Sequence, residues 1–160
     1  MINCEVETIL SDPELRSYAV LTVNSSNLIL LASLNGTVKI INPAGCVTLN
    51  SAVIEGKIFS AELFSDQFLL NGVEGRLVLC RFGSNGTCDK VAEGTLPVSK
   101  QRWFSVAREW NDILILGDRV GSLHLYRREN LELKQTFKKI HGRNGVTDLR
   151  TVRKGNIIFN

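Results

Sequence analysis

The chain has 160 residues, enough for one domain with a sizeable core, and 44% hydrophobic against 22% charged residues is a soluble, globular composition. No stretch approaches the roughly 18 uncharged apolar residues of a transmembrane helix, and the opening Met1-Ile2-Asn3-Cys4-Glu5-Val6-Glu7 has acids where a secretory n-region is basic. The net charge of +3 conceals an asymmetry: residues 1–80 hold 4 basic and 8 acidic side chains, residues 81–160 hold 15 and 8, and Arg127 to Lys154 alone holds 9 and 3.

Helical periodicity is scarce. Short apolar runs alternate with turns rich in Gly, Asn or Asp, the pattern of an all-β chain. Strands are predicted at Tyr18–Val23, Leu28–Ser33, Thr37–Ile41, Cys46–Leu49, Ile58–Phe64, Gln67–Leu70 and Arg76–Arg81. The second half adds Trp103–Arg108, Ile113–Gly117, Ser122–Tyr126, Leu133–Phe137 and Val146–Val152.

Three of these hairpins repeat. Leu28–Ile41, Phe68–Leu79 and Ile113–Tyr126 align with Gly36, Gly75 and Gly121 in one column, at steps of 39 and 46 residues. Each glycine supplies the φ > 0 position of a tight turn, and Val38/Ile40, Leu77/Leu79 and Leu123/Leu125 then face one common direction. A period near 40 with four short strands per unit predicts β-propeller blades, at residues 17–54, 57–100, 102–138 and a truncated 145–160. Gly155–Asn160 matches the start of another central strand, so the expected architecture is an incomplete, open propeller of about three and a half blades. Such an arc is expected to be a piece of a longer protein, poorly soluble or partner-dependent when isolated.

The segment Ala32–Asn42 resembles the inner hairpin of WD-repeat blades, with Asn35 at the usual Asp position and Ile41 at the Trp position. His141-Gly142 followed by Gly145–Leu149 resembles the Gly-His lead into a blade. The Trp position holds Ile41, Cys80 and Tyr126, and its acidic partner is Asn35, Glu74 and Val120, so the Trp–Ser–His–Asp network of typical blades is not expected to be complete. Leu96–Ser105, Leu116–Leu123 and His141–Thr147 are similar to segments of the WD repeat-containing protein 6 family. That resemblance implies a large multi-propeller scaffold that partners an FtsJ-type methyltransferase in 2′-O-ribose methylation of the tRNA wobble nucleotide.

Catalytic chemistry is not expected. There is no G-x-S-x-G, P-loop, G-x-G-x-x-G or βαβ pattern, and of the two histidines His124 sits in an inner strand and His141 in the blade-entry motif. Asp118 and Arg119 read as turn residues, and Trp103 and Trp110 as packing residues. Cys4, Cys46, Cys80 and Cys88 form no C-x-x-C and lie far from both histidines, which predicts reduced thiols in a cytosolic or nuclear protein, of which a cytoplasmic one is expected, with no metal site and no cofactor. The sequons at Asn24, Asn35 and Asn85 read as turn chemistry. What remains is the basic stretch, where Lys138, Lys139, Arg143 and Arg150 are the candidate contacts to tRNA phosphates or to an acidic partner. The alternative is a general protein–protein interaction module in trafficking or signalling, with no RNA contact.

Overall fold

Turns this short leave each apolar run no partner but its neighbour in sequence, so the strands pair in chain order. The structure, a computed structural model, describes residues 18–24, 26–42, 44–45, 47–82, 87–151 and 157–159. The first sheet is β1 (Tyr18–Val23), β2 (Ile29–Ser33), β3 (Thr37–Ile41) and β4 (Val47–Ala52); the second is β5 (Ser60–Leu63), β6 (Gln67–Asn71), β7 (Arg76–Phe82) and β8 (Cys88–Thr95). The third is β9 (Phe104–Trp110), β10 (Ile113–Asp118), β11 (Leu123–Arg127) and β12 (Leu133–Phe137), and β13 (Leu149–Thr151) pairs with β14 (Ile157–Phe159). All pairings are antiparallel between consecutive strands. The chain is therefore all-β, built of propeller-like four-stranded blades that close no ring among the described residues. Cys4, Cys46, the Asn85 sequon and most of Gly155–Asn160 lie outside the described residues.

Sequence patterning does not announce β8. Its burial alternates weakly, as befits a charged outer strand with one face on solvent, and its Asp89, Lys90 and Glu93 hide the period-2 signal. The strand predicted at Val146–Val152 begins only at Leu149, because Val146 is spent anchoring the loop before β13, and Val152 lies outside the described residues.

Alternation along each inner strand sends residues to two different neighbours. Phe68, Leu70, Val78 and Cys80 pack against Leu30, Ala32, Val38 and Ile40 of the first sheet. Leu69, Leu77 and Leu79, one step out of phase, pack against Leu114, Leu116 and Tyr126 of the third. Leu123 and Ile115 continue the series toward Val146 and Leu149. Both faces of the middle sheet are dry, and burying one such Leu or Phe stabilises by about 1.5–3 kcal/mol. Polar clamps reinforce the sandwich. Glu62 on β5 accepts from Arg108 on β9 at 3.1 Å, and Arg108 lies 3.5 Å from Asp148 beyond it. At the opposite end Arg128 reaches back to Gln67 and Asp66, each at 2.8 Å.

The glycine column is where the sheets are joined. Gly36, Gly75 and Gly121 have φ of +88°, +74° and +84°. The carbonyl of each accepts from an N–H of the connector that leaves its own sheet: Val53 N to Gly36 O at 3.0 Å, Leu96 N to Gly75 O at 2.8 Å, His141 N to Gly121 O at 3.1 Å. A Cβ would collide with the connector in all three, with the Ile54 carbonyl at Gly36, the Arg102 side chain at Gly75, and the Asn144 and Gly142 carbonyls at Gly121. Gly142 offers the control, since its φ is +69° but nothing lies within 4 Å of its would-be Cβ. Left-handed strain costs both sites about 1–2 kcal/mol, and overpacking adds about 1–3 kcal/mol at Gly121 only. Urea unfolding should therefore show Gly121→Ala to be about 2 kcal/mol more destabilising than Gly142→Ala; equal losses would remove the connector contact from the account.

Candidate nucleic-acid interface

Behind each glycine a polar side chain is buried at the end of the preceding strand: Ser33, Asn71 and Asp118. A buried polar group is retained where it is fully hydrogen-bonded, and each of these holds backbone donors or acceptors of its own turn. Ser33 Oγ accepts from Thr37 N at 2.9 Å, and Asn71 Nδ2 donates to Arg76 O at 3.0 Å while its Oδ1 accepts from Phe104 N of the next sheet at 3.1 Å. Asp118 Oδ1 accepts from Ser122 N at 2.7 Å and Val120 N at 3.0 Å.

In the third sheet the network goes further. Asp118 Oδ2 lies 3.1 Å from His124 Nε2, and His124 Nδ1 lies 3.1 Å from Thr136 Oγ1. The acidic position of this hairpin is thus Asp118, not Val120, because only the last residue of β10 faces the imidazole of β11. The connectivity resembles a hydrolase relay. With the imidazole 3% exposed and both its nitrogens used inside the sheet, it ties β10, β11 and β12 together. His141, placed in the following turn, keeps its backbone on Gly121, while its buried Nδ1 has no hydrogen-bond partner among the described residues.

This network presents the basic loop. Lys139 takes a left-handed backbone, φ +51°, with its N–H on Ser122 Oγ at 3.1 Å, and Val146 N donates to Asp118 O at 2.9 Å. Lys138, Lys139 and Arg143 consequently stand together on one exposed loop with no ion pair among the described residues. Lys138 and Lys139 wall a recess of about 220 Å³ floored by His124 and Thr136. Arg150 stands apart on β13, where its Nε donates to Asp148 Oδ2 at 3.0 Å. That bond, with Arg108 beside it, holds the Asp148 carboxyl below the ordinary carboxylate range.

Of the cations outside the stretch that charge counting singles out, Arg108, Lys57 and Arg119 bear on this end of the molecule. Arg108 neutralises Glu62, whose carboxyl is pushed up by burial against that pull. Lys57 and Arg119 border a groove of about 580 Å³ together with Phe59 and Trp103. Their nearest sequence signal is the turn and connector chemistry around Gly56 and Gly121, which carries no hint that the two residues meet. Trp103 stacks on Phe59 at 5.2 Å and 13°, whereas Trp110 is exposed at the far end of β9. Cys80 is buried between the first two sheets, its thiol pushed up to about 12 chiefly by burial, and no metal-holding cluster exists among the described residues. No helix among the described residues is long and apolar enough to cross a membrane.

No family model and no curated protein matches the chain. Among solved structures it is similar to the computationally designed Ika4 protein, with a TM-score of 0.64 at 11% identity over 99% of this chain and 98% of that one. It is also similar to the designed Ika8 protein, at TM-score 0.61 and 11% identity over 88% of this chain and 44% of that one. BamB from Moraxella catarrhalis, a β-propeller, superposes with a TM-score of 0.64 at 8% identity over 85% of this chain and 45% of its own. The chain spans under half the length of Ika8 and of BamB. What these proteins share with it is the fold.

Because Asp118 serves two backbone donors and the imidazole, removing it strands the buried Ser122 N–H and His124 ring and the half-buried Val120 N–H at once. Asp118→Ala should cost about 3 kcal/mol or more in chemical unfolding, against about 1 kcal/mol for Thr136→Val. Comparable small losses for both would show that the network is incidental.

Proposed function

We propose that this protein is a non-catalytic propeller scaffold that holds tRNA for, or docks, an FtsJ-type 2′-O-ribose methyltransferase in the cytoplasm. The observation that carries this reading is the basic loop: Lys138, Lys139 and Arg143 project from one turn with no carboxylate partner among the described residues, pinned from below by Ser122 and Gly121. A rigid row of unpaired cations suits phosphates, and backbone contacts of that kind position a nucleic acid without reading its sequence. Support also comes from the similarity of Leu96–Ser105, Leu116–Leu123 and His141–Thr147 to WD repeat-containing protein 6 segments. In this structure Leu116–Leu123 and His141–Thr147 lie in the hairpin and connector that build the loop and its footing, and Leu96–Ser105 runs from the connector between β8 and β9 into β9.

The work asked of such a scaffold is orientation. A methyltransferase acting on one ribose gains rate when the tRNA is held in place and loses little if the holding surface is chemically inert. Arg150 contributes less than the other three because Asp148 shares its charge.

Lys138→Glu combined with Lys139→Glu should weaken tRNA binding at least about tenfold and lower the slope of log affinity against log salt by about 1.5 to 2. Unchanged affinity and slope would make the loop a solvated face. A chain that captures a methyltransferase-free protein partner and no RNA would favour a general interaction module.

A further inference from the structure

The groove at the entry to the second and third sheets has a composition that the basic loop lacks. Lys57 Nζ sits 5.2 Å from the centre of the Phe59 ring, Phe59 stacks on Trp103, and Arg119 closes the groove from the β10–β11 turn. Neither Lys57 nor Arg119 forms an ion pair among the described residues. The carboxylate in the lining, Glu62, is already held by Arg108 and the Ala107 N–H, so the free charge of the groove is positive. Arg119 also borders a second cleft, of about 270 Å³, with Gly145 and Thr147. Gly145 itself rests on Arg119, its would-be Cβ 3.1 Å from the Arg119 Cα, so the groove runs on toward the loop of Lys138, Lys139 and Arg143.

We infer that this groove seats an unpaired nucleotide of single-stranded RNA, with its base against the Trp103 ring and its flanking phosphates on Lys57 and Arg119. The inference rests on the reading of the basic loop as an RNA contact and supplies the second anchor on the same track. Aromatic rings beside unpaired cations bind single strands because every base has a face to stack and every linkage a charge to neutralise. Duplex RNA hides those faces. A peptide would want an apolar pocket or a free sheet edge, and the groove has hydroxyl-bearing walls at Ser60 and Ser105 instead.

The test uses the full chain carrying Trp110→Phe, which leaves Trp103 as the sole tryptophan. A short single-stranded oligoribonucleotide should quench Trp103 fluorescence saturably, and duplex RNA of equal length should quench it far less. Arg119→Ala, at an exposed turn position, should weaken oligonucleotide binding about fivefold and lower the salt slope by about 0.7. If RNA binds, and Lys138→Glu with Lys139→Glu weakens it, while Trp103 emission and the Arg119→Ala affinity stay unchanged, the groove assignment is overturned and the loop reading stands. No RNA binding by the parent chain overturns both. Quenching by an acidic peptide but not by RNA also overturns the assignment, in favour of a protein ligand.

Discussion

Everything else in this structure hangs on a glycine carbonyl. At Gly36, Gly75 and Gly121 the inner hairpin turns through a left-handed residue and offers its C=O to the connector that leaves the outer strand. The connector must cross directly over the turn, where a Cβ would stand in its way. That crossing sets the point from which the next sheet starts and therefore how far its strands are displaced. With it in place, Leu30 and Val38 meet Phe68 and Val78, and Leu77 and Leu79 meet Leu114 and Tyr126. The hydrophobic contacts supply most of the stability, but they are non-directional and do not choose their own register. The hydrogen bond at the glycine does.

The same crossing decides where chemistry can reside. Sheet faces are consumed in packing, so polar side chains are left to the ends of the sheets. Every inner turn and every connector described emerges at one end, which brings Lys57, Trp103, Arg119 and the 138–143 loop to a single surface although 81 residues separate Lys57 from Lys138. The opposite end is spent on structure, with Arg128 drawing Asp66, Gln67 and Glu109 together. Buried polar groups follow the same logic. Ser33, Asn71 and Asp118 each complete a turn, and the largest of these networks lies under the basic loop.

Much of the fold is legible in the chain because repetition makes weak signals add. One glycine turn between apolar runs predicts a hairpin; three in register predict stacked blades and the direction in which Leu77, Leu79 and Leu123 face. Outer strands are less legible, since β8 needs only one packed face and fills the other with charge. The interface is legible only in part. Lys138, Lys139 and Arg143 stand out as a local excess of charge, whereas Lys57 lies in the acidic half and Arg119 in a turn, and only the three-dimensional crossing of connectors brings them to one groove. Arg150 shows the converse: sequence counts its charge, and Asp148 takes much of it back.

Amide hydrogen exchange tests the central claim most directly, because it reads the connector bonds themselves. The N–H groups of Val53, Leu96 and His141 sit in segments without strand structure, and loop amides ordinarily exchange fast. If the glycine carbonyls join the sheets, these three amides are protected to the level of inner-strand amides such as Leu69 and Leu116, and they open together with them. Exchange at loop rates, with the inner strands still protected, would contradict the account.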